Sequence, residues 1–573
     1  MKKLFCFITV LFFFLGFSKL SFAADPIIPK VDDFNKNIPT APKNINPAPL
    51  PSDSLQNKTD NTKNTELLKV LVKEFVFEGN KKFPTSELQN LVKNKLNKEL
   101  TYADLREVLQ DISFYYRSKG YLATAYLPEQ SIESGIIVIR VAEGVIGKIV
   151  INYSGKDAAN ISEERIKKFI YNKINRTTIL NITQLDNNIR NLNNVPGINV
   201  IAQLQEGSSP GQVDVIVTSS NTNTVSALAS MDNNGSRSSG YERLTNVFNF
   251  DSLFNWGERF SFTNVISEGS HYYAMNSTLP VGYDGLQSTF RISKLEYDLS
   301  EPFDSTNPTG YSTEFNLTFS KPLIFQTGES LTSSISFSRN DYVNDVKTGN
   351  SSNKDIIKSV ANLNYNKQDR FFSGGNNSLN LGFTYGTLNL KDNMTNYDTD
   401  QLTTRNNGEY WKAAININRL QRINNNYSAT FKFNGQYTDK NLDGAEQISL
   451  GGPTAVRAYP ANEASGDQGF VSSIELNRAF SNNSVVSLFY DYGKIQLHKT
   501  AYENWNSTNS SLKNNYDLQG TGITFSYPIN KSFNLQATYA KTLGNNRGKD
   551  SDGNDADGLT KNSRTLISLV GQF

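Results

Sequence analysis

The C-terminal part of the chain, residues 221–573, alternates apolar and polar positions with a period of two. Such alternation predicts strands with one apolar and one polar face. Stretches rich in asparagine, aspartate, glycine and serine separate these runs and predict turns and loops. The clearest runs place large apolar side chains on one face, namely Tyr311, Phe315, Phe319, Leu379, Phe383, Tyr427, Phe431, Phe433, Phe533 and Tyr539. We therefore predict a transmembrane antiparallel β-barrel over residues 221–573.

Residues 67–220 show a different pattern, in which short apolar runs flank segments with helical periodicity. Residues 67–144 predict the order strand, helix, helix, strand, strand, and residues 145–220 repeat it. In the first helix, Ser86 and Gln89 have the spacing of a capping box. The four predicted helices begin at Ser86, Thr101, Ser162 and Thr183. Two tandem small α+β domains are the natural interpretation of this repeat.

The N-terminus has the features of a secretory signal peptide. Lys2 and Lys3 precede an apolar run over residues 4–17, and Ala23 closes a small-residue cleavage site. We predict a signal peptide at residues 1–23 and export of the chain. Residues 24–66 contain seven prolines among polar residues, which predicts a semi-extended linker without a long amphipathic helix.

Composition excludes several classes of protein. The one cysteine is Cys6, inside the predicted signal peptide, so disulfides and thiolate metal sites are excluded from the exported chain. The chain has only two histidines, His271 and His498, so a histidine-based metal site or proton relay is not expected. With 57 Lys and Arg against 55 Asp and Glu, a nucleic-acid partner is not expected. Aromatic residues reach 11% although mean hydropathy is −0.47, a combination typical of a barrel with one wet and one lipid-facing side.

Two sequence patterns resemble enzyme motifs but lack features that those motifs require. Residues 207–211, Gly-Ser-Ser-Pro-Gly, fit the serine-hydrolase pattern by letter, but Pro210 after the would-be nucleophile Ser209 has no N–H for an oxyanion hole. We predict a hairpin turn there. The four Gly-Lys pairs of the chain are never followed by Ser or Thr, which excludes a Walker A loop.

A calcium loop is also not expected. The acidic stretch after Lys549 has Asp555 at the position where an EF-hand loop requires glycine. We predict an acidic surface loop. No catalytic residue, no metal and no cofactor is expected in this chain.

Two short segments carry candidate roles inside the barrel. Residues 450–460 read Leu-Gly-Gly-Pro-Thr-Ala-Val-Arg-Ala-Tyr-Pro, and residues 489–493 read Phe-Tyr-Asp-Tyr-Gly. Alternation places Asp491 on the lumen side of its strand, where a carboxylate is easiest to explain if an arginine such as Arg457 meets it. The residues alone leave this pairing open, because arginines in loops are usually solvated.

These features together resemble the two-partner secretion transporters, the TpsB family of hemolysin activation and secretion type. The resemblance covers about residues 67–573 and implies two POTRA domains followed by a barrel of 16 strands. In that family a Val-Arg-Gly-Tyr segment tips a long loop that folds back into the barrel, and its arginine reaches the aspartate of a Phe-x-Asp-x-Gly strand. Ala458 stands here where the family has glycine. The matching positions are Val456, Arg457 and Tyr459 in the loop and Phe489, Asp491 and Gly493 on the wall.

The resemblance implies an outer-membrane transporter of a Gram-negative bacterium, with its POTRA domains in the periplasm. It would secrete, by two-partner (type V) secretion, a large partner exoprotein of hemolysin, hemagglutinin or adhesin type, captured through that protein's N-terminal secretion domain. Other expected partners are outer-membrane lipid and the barrel-assembly machinery, for which the C-terminal Phe573 resembles the insertion signal.

Two other functions are compatible with a barrel. An assembly factor that inserts other barrels has the same architecture but usually more POTRA domains. A porin for small solutes needs no POTRA domains at all. Secretion is therefore the favoured hypothesis.

Overall fold

In this computed structural model the described residues are 30, 69–131, 134–154, 160–209, 211–303, 306–347, 352–390, 393–507 and 509–573. The predicted signal peptide lies outside the described residues, as does the predicted linker except for Lys30. Lys30 is buried, and its ammonium group donates a hydrogen bond to the backbone oxygen of Gln447 at 3.1 Å.

The first small domain packs two helices on a three-stranded sheet. Its strand order is β2-β5-β4, with β2 and β5 parallel and β4 and β5 antiparallel, while β1 and β3 form a separate pair. Its elements are β1 (Val70–Val72), β2 (Glu74–Glu78), α1 (Thr85–Val92), β3 (Lys98–Leu100), α2 (Tyr102–Ser118), β4 (Ala123–Tyr126) and β5 (Ile136–Glu143).

Of the two predicted helix starts in this domain, one is wrong and one is confirmed. The capping box of Ser86 and Gln89 is wrong, because α1 begins at Thr85 after Pro84 and no side chain caps it. The start at Thr101 is confirmed: its hydroxyl accepts from the backbone N–H of Asp104, whose carboxylate accepts from the backbone N–H of Thr101.

The second small domain repeats this order with the sheet β6-β8-β7. Ser162 caps its first helix as predicted, but the cap of the second helix is Asn181 rather than Thr183. The hairpin predicted at residues 207–211 joins β7 to β8, and Pro210 within it lies outside the described residues. The elements are β6 (Val145–Ser154), α3 (Glu163–Ile170), α4 (Ile182–Asn193), β7 (Ile198–Glu206) and β8 (Gln212–Asn221).

Sixteen antiparallel strands of the described chain close into a barrel, in which β26 pairs with β9. The elements are β9 (Val225–Asp232), β10 (Arg243–Asp251), β11 (Arg259–Ser267), β12 (Ser270–Pro280), β13 (Gln287–Asp298), β14 (Thr309–Gln326), β15 (Glu329–Asp345), β16 (Ser352–Asp369), β17 (Gly375–Asn389), α5 (Met394–Leu402), β18 (Gly408–Arg422), β19 (Tyr427–Thr438), β20 (Ile448–Ser449), β21 (Ser465–Gly466), β22 (Gln468–Ala479), β23 (Val485–Gln496), β24 (Asn515–Pro528), β25 (Phe533–Leu543) and β26 (Ser563–Gln572). β20 and β21 form a separate two-stranded sheet that is not part of the barrel wall.

Burial follows the alternation along the barrel strands. Tyr490 is 40% exposed on the outer face, whereas its neighbours Phe489 and Asp491 are buried on the inner face. Among the described residues, no helix is long and apolar enough to cross a membrane.

The two ends of the barrel differ. Short turns lie at the end next to the small domains, where the Ser252 hydroxyl donates to the backbone oxygen of Pro196 at 2.7 Å. The longer connections lie at the far end, including the segment with α5 and the two loops at 439–467 and 544–562.

Candidate functional site

The loop between β19 and β22, residues 439–467, folds into the lumen and forms an apolar cluster there. β20 pairs with β21 across the loop, and Val456 donates its backbone N–H to the oxygen of Leu450 at 2.8 Å. Val456 and Tyr459 are both buried. The loop and wall share this cluster, whose buried members are Leu450, Val456, Ala458, Tyr459, Ala464, Val471, Phe489, Ile495, Tyr516, Leu518 and Ala540.

Arg457, at the tip of this loop, meets Asp491 of β23 as a bidentate pair. Its Nε lies 2.9 Å from Oδ2 and its terminal nitrogen 2.7 Å from Oδ1, while its backbone N–H also donates to Oδ2 at 3.1 Å. Asp491 is fully buried. A fork of this kind is the strongest geometry for an arginine and a carboxylate, and it compensates two charges removed from water.

Neighbours on β22 complete the surroundings of the arginine. Ser473 donates to Asp491 at 2.7 Å and accepts from Arg457 at 3.0 Å. Glu475 lies 2.9 Å from the other terminal nitrogen of Arg457 and also pairs with Lys432 at 3.1 Å. Burial opposes the charge of Arg457, but Asp491 and Glu475 outweigh it and raise its pKa. The arginine therefore stays charged and is held on one wall.

Phe489 lies beneath the arginine. The guanidinium carbon is 3.4 Å from the centre of the Phe489 ring, which is a cation–π contact inside a desolvated site. Strand register explains the grouping, since Glu475 is opposite Phe489 and Ser473 opposite Asp491. Four inward-facing side chains, two from each of two neighbouring strands, therefore converge on one guanidinium.

Small residues on the wall make room for the loop. A Cβ atom at Gly493 would lie 3.1 Å from Leu450 and 3.2 Å from Val456. A Cβ atom at Gly520 would lie 2.9 Å from the methyl carbon of Ala458. The structure thus brings together all six predicted positions of the two motifs, and Gly520 joins them.

The seventh predicted position, Phe573, lies apart from this cluster at the seam of the barrel. Its backbone N–H and C=O both pair with Ala227 at 2.9 Å, and its ring meets that of Phe533 at 5.5 Å. Pairing of this last residue extends the contact of β26 with β9.

Glu463, which the sequence did not single out, anchors the returning half of the loop. One carboxylate oxygen accepts from the Asn546 amide at 2.8 Å and the other from the backbone N–H of Ala556 at 2.6 Å. Burial, opposed by these bonds and reinforced by Asp555 and Asp557, raises the pKa of Glu463 to about 7. The inward alternation of β22 could have revealed Ser473 and Glu475, but no local pattern marks Glu463.

The acidic stretch after Lys549 does not converge on one point. Asp550 accepts from the backbone N–H groups of Asp552 and Asn554, whereas Asp555 turns inward toward Asn546. Among the described residues, no group of three or more His, Cys, Asp or Glu could hold a metal ion.

Comparison with known proteins identifies the family. The model of the haemolysin secretion/activation proteins ShlB/FhaC/HecB matches residues 211–544, more than half of the chain. The chain belongs to this family. The ShlB-type POTRA model matches residues 70–144 of the same chain. This member of the family is therefore an outer-membrane transporter of the two-partner secretion type, with its POTRA domains in the periplasm.

Individual relatives cover most of this family member. The heme/hemopexin transporter protein HuxB of Haemophilus influenzae (strain 86-028NP) is 25% identical over 88% of this chain and 90% of its own length. The outer membrane transporter CdiB of Dickeya dadantii is 25% identical over 67% of each chain. The solved CdiB from Escherichia coli shares the fold with a TM-score of 0.69 at 18% identity, over 91% of this chain and 93% of that one. Members of this family are transporters.

Proposed function

We propose that the loop carrying Arg457 is the gate of this transporter, and that an unfolded partner exoprotein crosses the barrel when the loop shifts. The observation that carries this proposal is the bidentate pair of Arg457 with the fully buried Asp491. Removing one partner of such a pair costs roughly 3–5 kcal/mol, since it leaves the other charge uncompensated. The resting loop is therefore locked at one point on the wall.

Capture of the cargo begins in the periplasm. In the second POTRA domain β7 is an edge strand, with Ile201 62% and Leu204 43% exposed. An extended chain can add to such an edge through backbone hydrogen bonds, with side chains beside Ile201 on one face of the sheet and beside Leu204 on the other. The N-terminal secretion domain of the exoprotein is the segment that would bind there.

Passage needs no chemistry in this chain. Because nothing in the sequence points to a nucleotide site, the proposed driving force is folding of the cargo outside the cell, which prevents its return. By analogy with the haemolysin family and with the heme/hemopexin transporter HuxB, the proposed cargo is one large secreted protein of hemolysin, hemagglutinin or adhesin type. Outer-membrane lipid and the barrel-assembly machinery are the proposed partners for insertion.

The test compares strains producing the wild type, Arg457→Ala and Asp491→Ala. We expect both variants to reach the outer membrane at normal levels and to release far less of one large protein into the medium, with its exported form held or degraded in the periplasm. Arg339→Ala is the matched control, because Arg339 pairs with Asp341 on the outer wall of the same barrel. Release by this control should equal the wild type.

Wild-type release by both loop and wall variants would contradict the gate. Deletion of the whole gene separates the alternatives. Loss of the exoprotein alone supports secretion, whereas an unchanged medium with depleted outer-membrane barrels would favour an assembly factor.

A further inference from the structure

Four asparagines form a continuous row across four neighbouring strands. In the barrel register Asn364 of β16 is opposite Asn380 of β17, Asn380 is opposite Asn416 of β18, and Asn416 is opposite Asn434 of β19. We name these four residues the asparagine ladder. Directly opposite residues on neighbouring strands have Cβ atoms about 4.5–5.5 Å apart, so the four amides form one surface.

The ladder faces the lumen and is open to it. Outward positions alternate with it, since Leu381 and Phe383 of β17 are 41% and 50% exposed on the lipid side. Asn416 and Asn434 are exposed although they point inward. In the part of the chain that the structure describes, neither has a side-chain hydrogen bond, whereas Asn364 accepts one from Asn366 at 2.7 Å.

The gate loop covers the neighbouring part of the wall, since β19, the last strand of the ladder, pairs with β22. It packs on β22, β23 and β24, where Ser473, Asp491 and Leu518 are buried beneath it. Between the loop tip and the ladder a cavity of about 260 Å³ remains, lined by Thr454 and Ala455 of the loop and by three ladder residues. The resting loop thus leaves room along one wall.

The chemistry of this wall suits a polypeptide of any sequence. A side-chain amide donates and accepts hydrogen bonds, so it can exchange partners with the backbone of an extended chain, and it carries no charge. The charged groups nearest the ladder are already paired, Lys432 with Glu475 at 3.1 Å and Lys358 and Lys412 with Glu446 at 2.7 and 2.8 Å. Neither acidic nor basic cargo segments would therefore be held by an unpaired ion among these groups.

We propose that the asparagine ladder is the track that the extended exoprotein contacts as it crosses the barrel, with the backbone of the exoprotein exchanging hydrogen bonds with the exposed amides of the ladder. This inference rests on the proposed secretory function and names the wall that serves it.

Crosslinking of a stalled cargo tests the track. In a Cys6→Ser background, Asn416→Cys and Asn434→Cys are labelled with a photoreactive maleimide. The probe is the exoprotein identified in the Arg457 experiment, stalled by fusion to a disulfide-bonded domain.

Gln536→Cys is the matched control, because Gln536 is also exposed and lies on the inner face of β25, two residues from the buried Thr538. We expect crosslinks at 416 and 434 and few at 536. Equal or stronger crosslinking at 536 would overturn the proposal.

Charge on the track gives a second readout. The double variant Asn416→Asp, Asn434→Asp should reach the membrane normally, as shown by its heat-dependent mobility on gels, and should release the exoprotein several-fold more slowly. Gln536→Glu should release it at the normal rate. If the Arg457 variants block secretion but the Asp variants do not slow it, the track is wrong and the gate stands. If no exoprotein depends on this chain, the proposed function itself fails.

Discussion

At the residue scale, one contact explains how the barrel wall accommodates the side chain of Ala458. The backbone of Ala458 is not in the left-handed region, so it has no need of glycine's freedom. Its methyl group is buried and lies where a Cβ atom at position 520 would come within 2.9 Å. Because position 520 is glycine in this chain, the space between the loop and the wall contains one methyl group rather than two.

This contact predicts the effect of Gly520→Ala. The added methyl would also lie 3.3 Å from Val456, so the loop must shift away from the wall. Overpacking of this kind costs about 1–3 kcal/mol. We expect a lower thermal midpoint in detergent and a larger channel current in planar bilayers. The double variant Ala458→Gly, Gly520→Ala should recover both properties, and failure of this rescue would show that the methyl contact does not position the loop.

At the scale of elements, the loop at 439–467 is held at two points. The loop at 439–467 reaches the wall through Arg457, and its returning half reaches the loop at 544–562 through Glu463. That second loop is itself tied by the pair of Asp557 with Arg564 at 2.8 Å, and its Gly558 packs near Pro302. The loop at 439–467 is therefore held to the wall by an ion pair and to the loop at 544–562 by a buried carboxyl group.

The carboxyl group makes the second fastening dependent on pH. Burial and two nearby acids raise the pKa of Glu463 from 4.5 to about 7, so the folded loop binds a proton that the displaced loop releases. Stability from this group is fully present below about pH 4.5 and is lost progressively as the pH rises to about 7. We expect channel openings to become more frequent as the pH rises from about 4.5 to about 7 in the wild type, with little further change above that range.

Glu463→Gln mimics the protonated carboxyl group and should largely remove this pH dependence. Asp550→Asn is the matched control, because Asp550 belongs to the same outer loop and bonds only locally to Asp552 and Asn554. It should keep the wild-type response. Identical pH curves for wild type and Glu463→Gln would show that this group does not set the response.

Helix starts show how far local pattern determines an element. Thr101 and Ser162 cap their helices as the sequence predicts, because the side chain and the N–H it serves are three residues apart. The prediction at Thr183 is wrong, because the cap is Asn181, two residues earlier. The side chain of Asn181 accepts a hydrogen bond from the backbone N–H of Gln184 at 2.9 Å. Where several good caps stand close together, packing of the helix chooses among them.

At the scale of the whole molecule, Phe573 takes part in the contact that closes the barrel. β26 pairs with β9 over fewer residues than most neighbouring strands do, and Phe573 adds two backbone hydrogen bonds with Ala227. Its ring also packs edge-on against Phe533. Both the backbone and the ring of Phe573 thus contribute to the seam of the barrel.

Deletion of Phe573 should lower the amount of folded barrel in the outer membrane, because it removes both the aromatic end and the two bonds at the seam. Phe573→Trp keeps an aromatic ring and the backbone pairing and should insert nearly normally. Heat-dependent gel mobility of membrane fractions measures the folded amount. Normal levels of the deletion variant would contradict a role in insertion or closure.

The sequence by itself determined the type of structure in the barrel and in the two small domains. Period-two alternation is a local property, so it reveals barrel strands and the inward position of Asp491 without knowledge of the fold. Helical periodicity reveals the two small domains in the same way. The number of strands and the pairing of Arg457 came from resemblance to a family, since neither follows from a local pattern.

Only the tertiary structure decided which side chains meet. Asp491 and Arg457 are 34 residues apart and Glu463 and Ala556 are 93 apart, and no periodicity spans such distances. The asparagine ladder exists only because four strand registers align it, and each register is set by turns and by packing of the neighbouring strand. The sequence contains the residues of the loop at 439–467 and of the asparagine ladder, but which side chains meet is a property of the closed barrel.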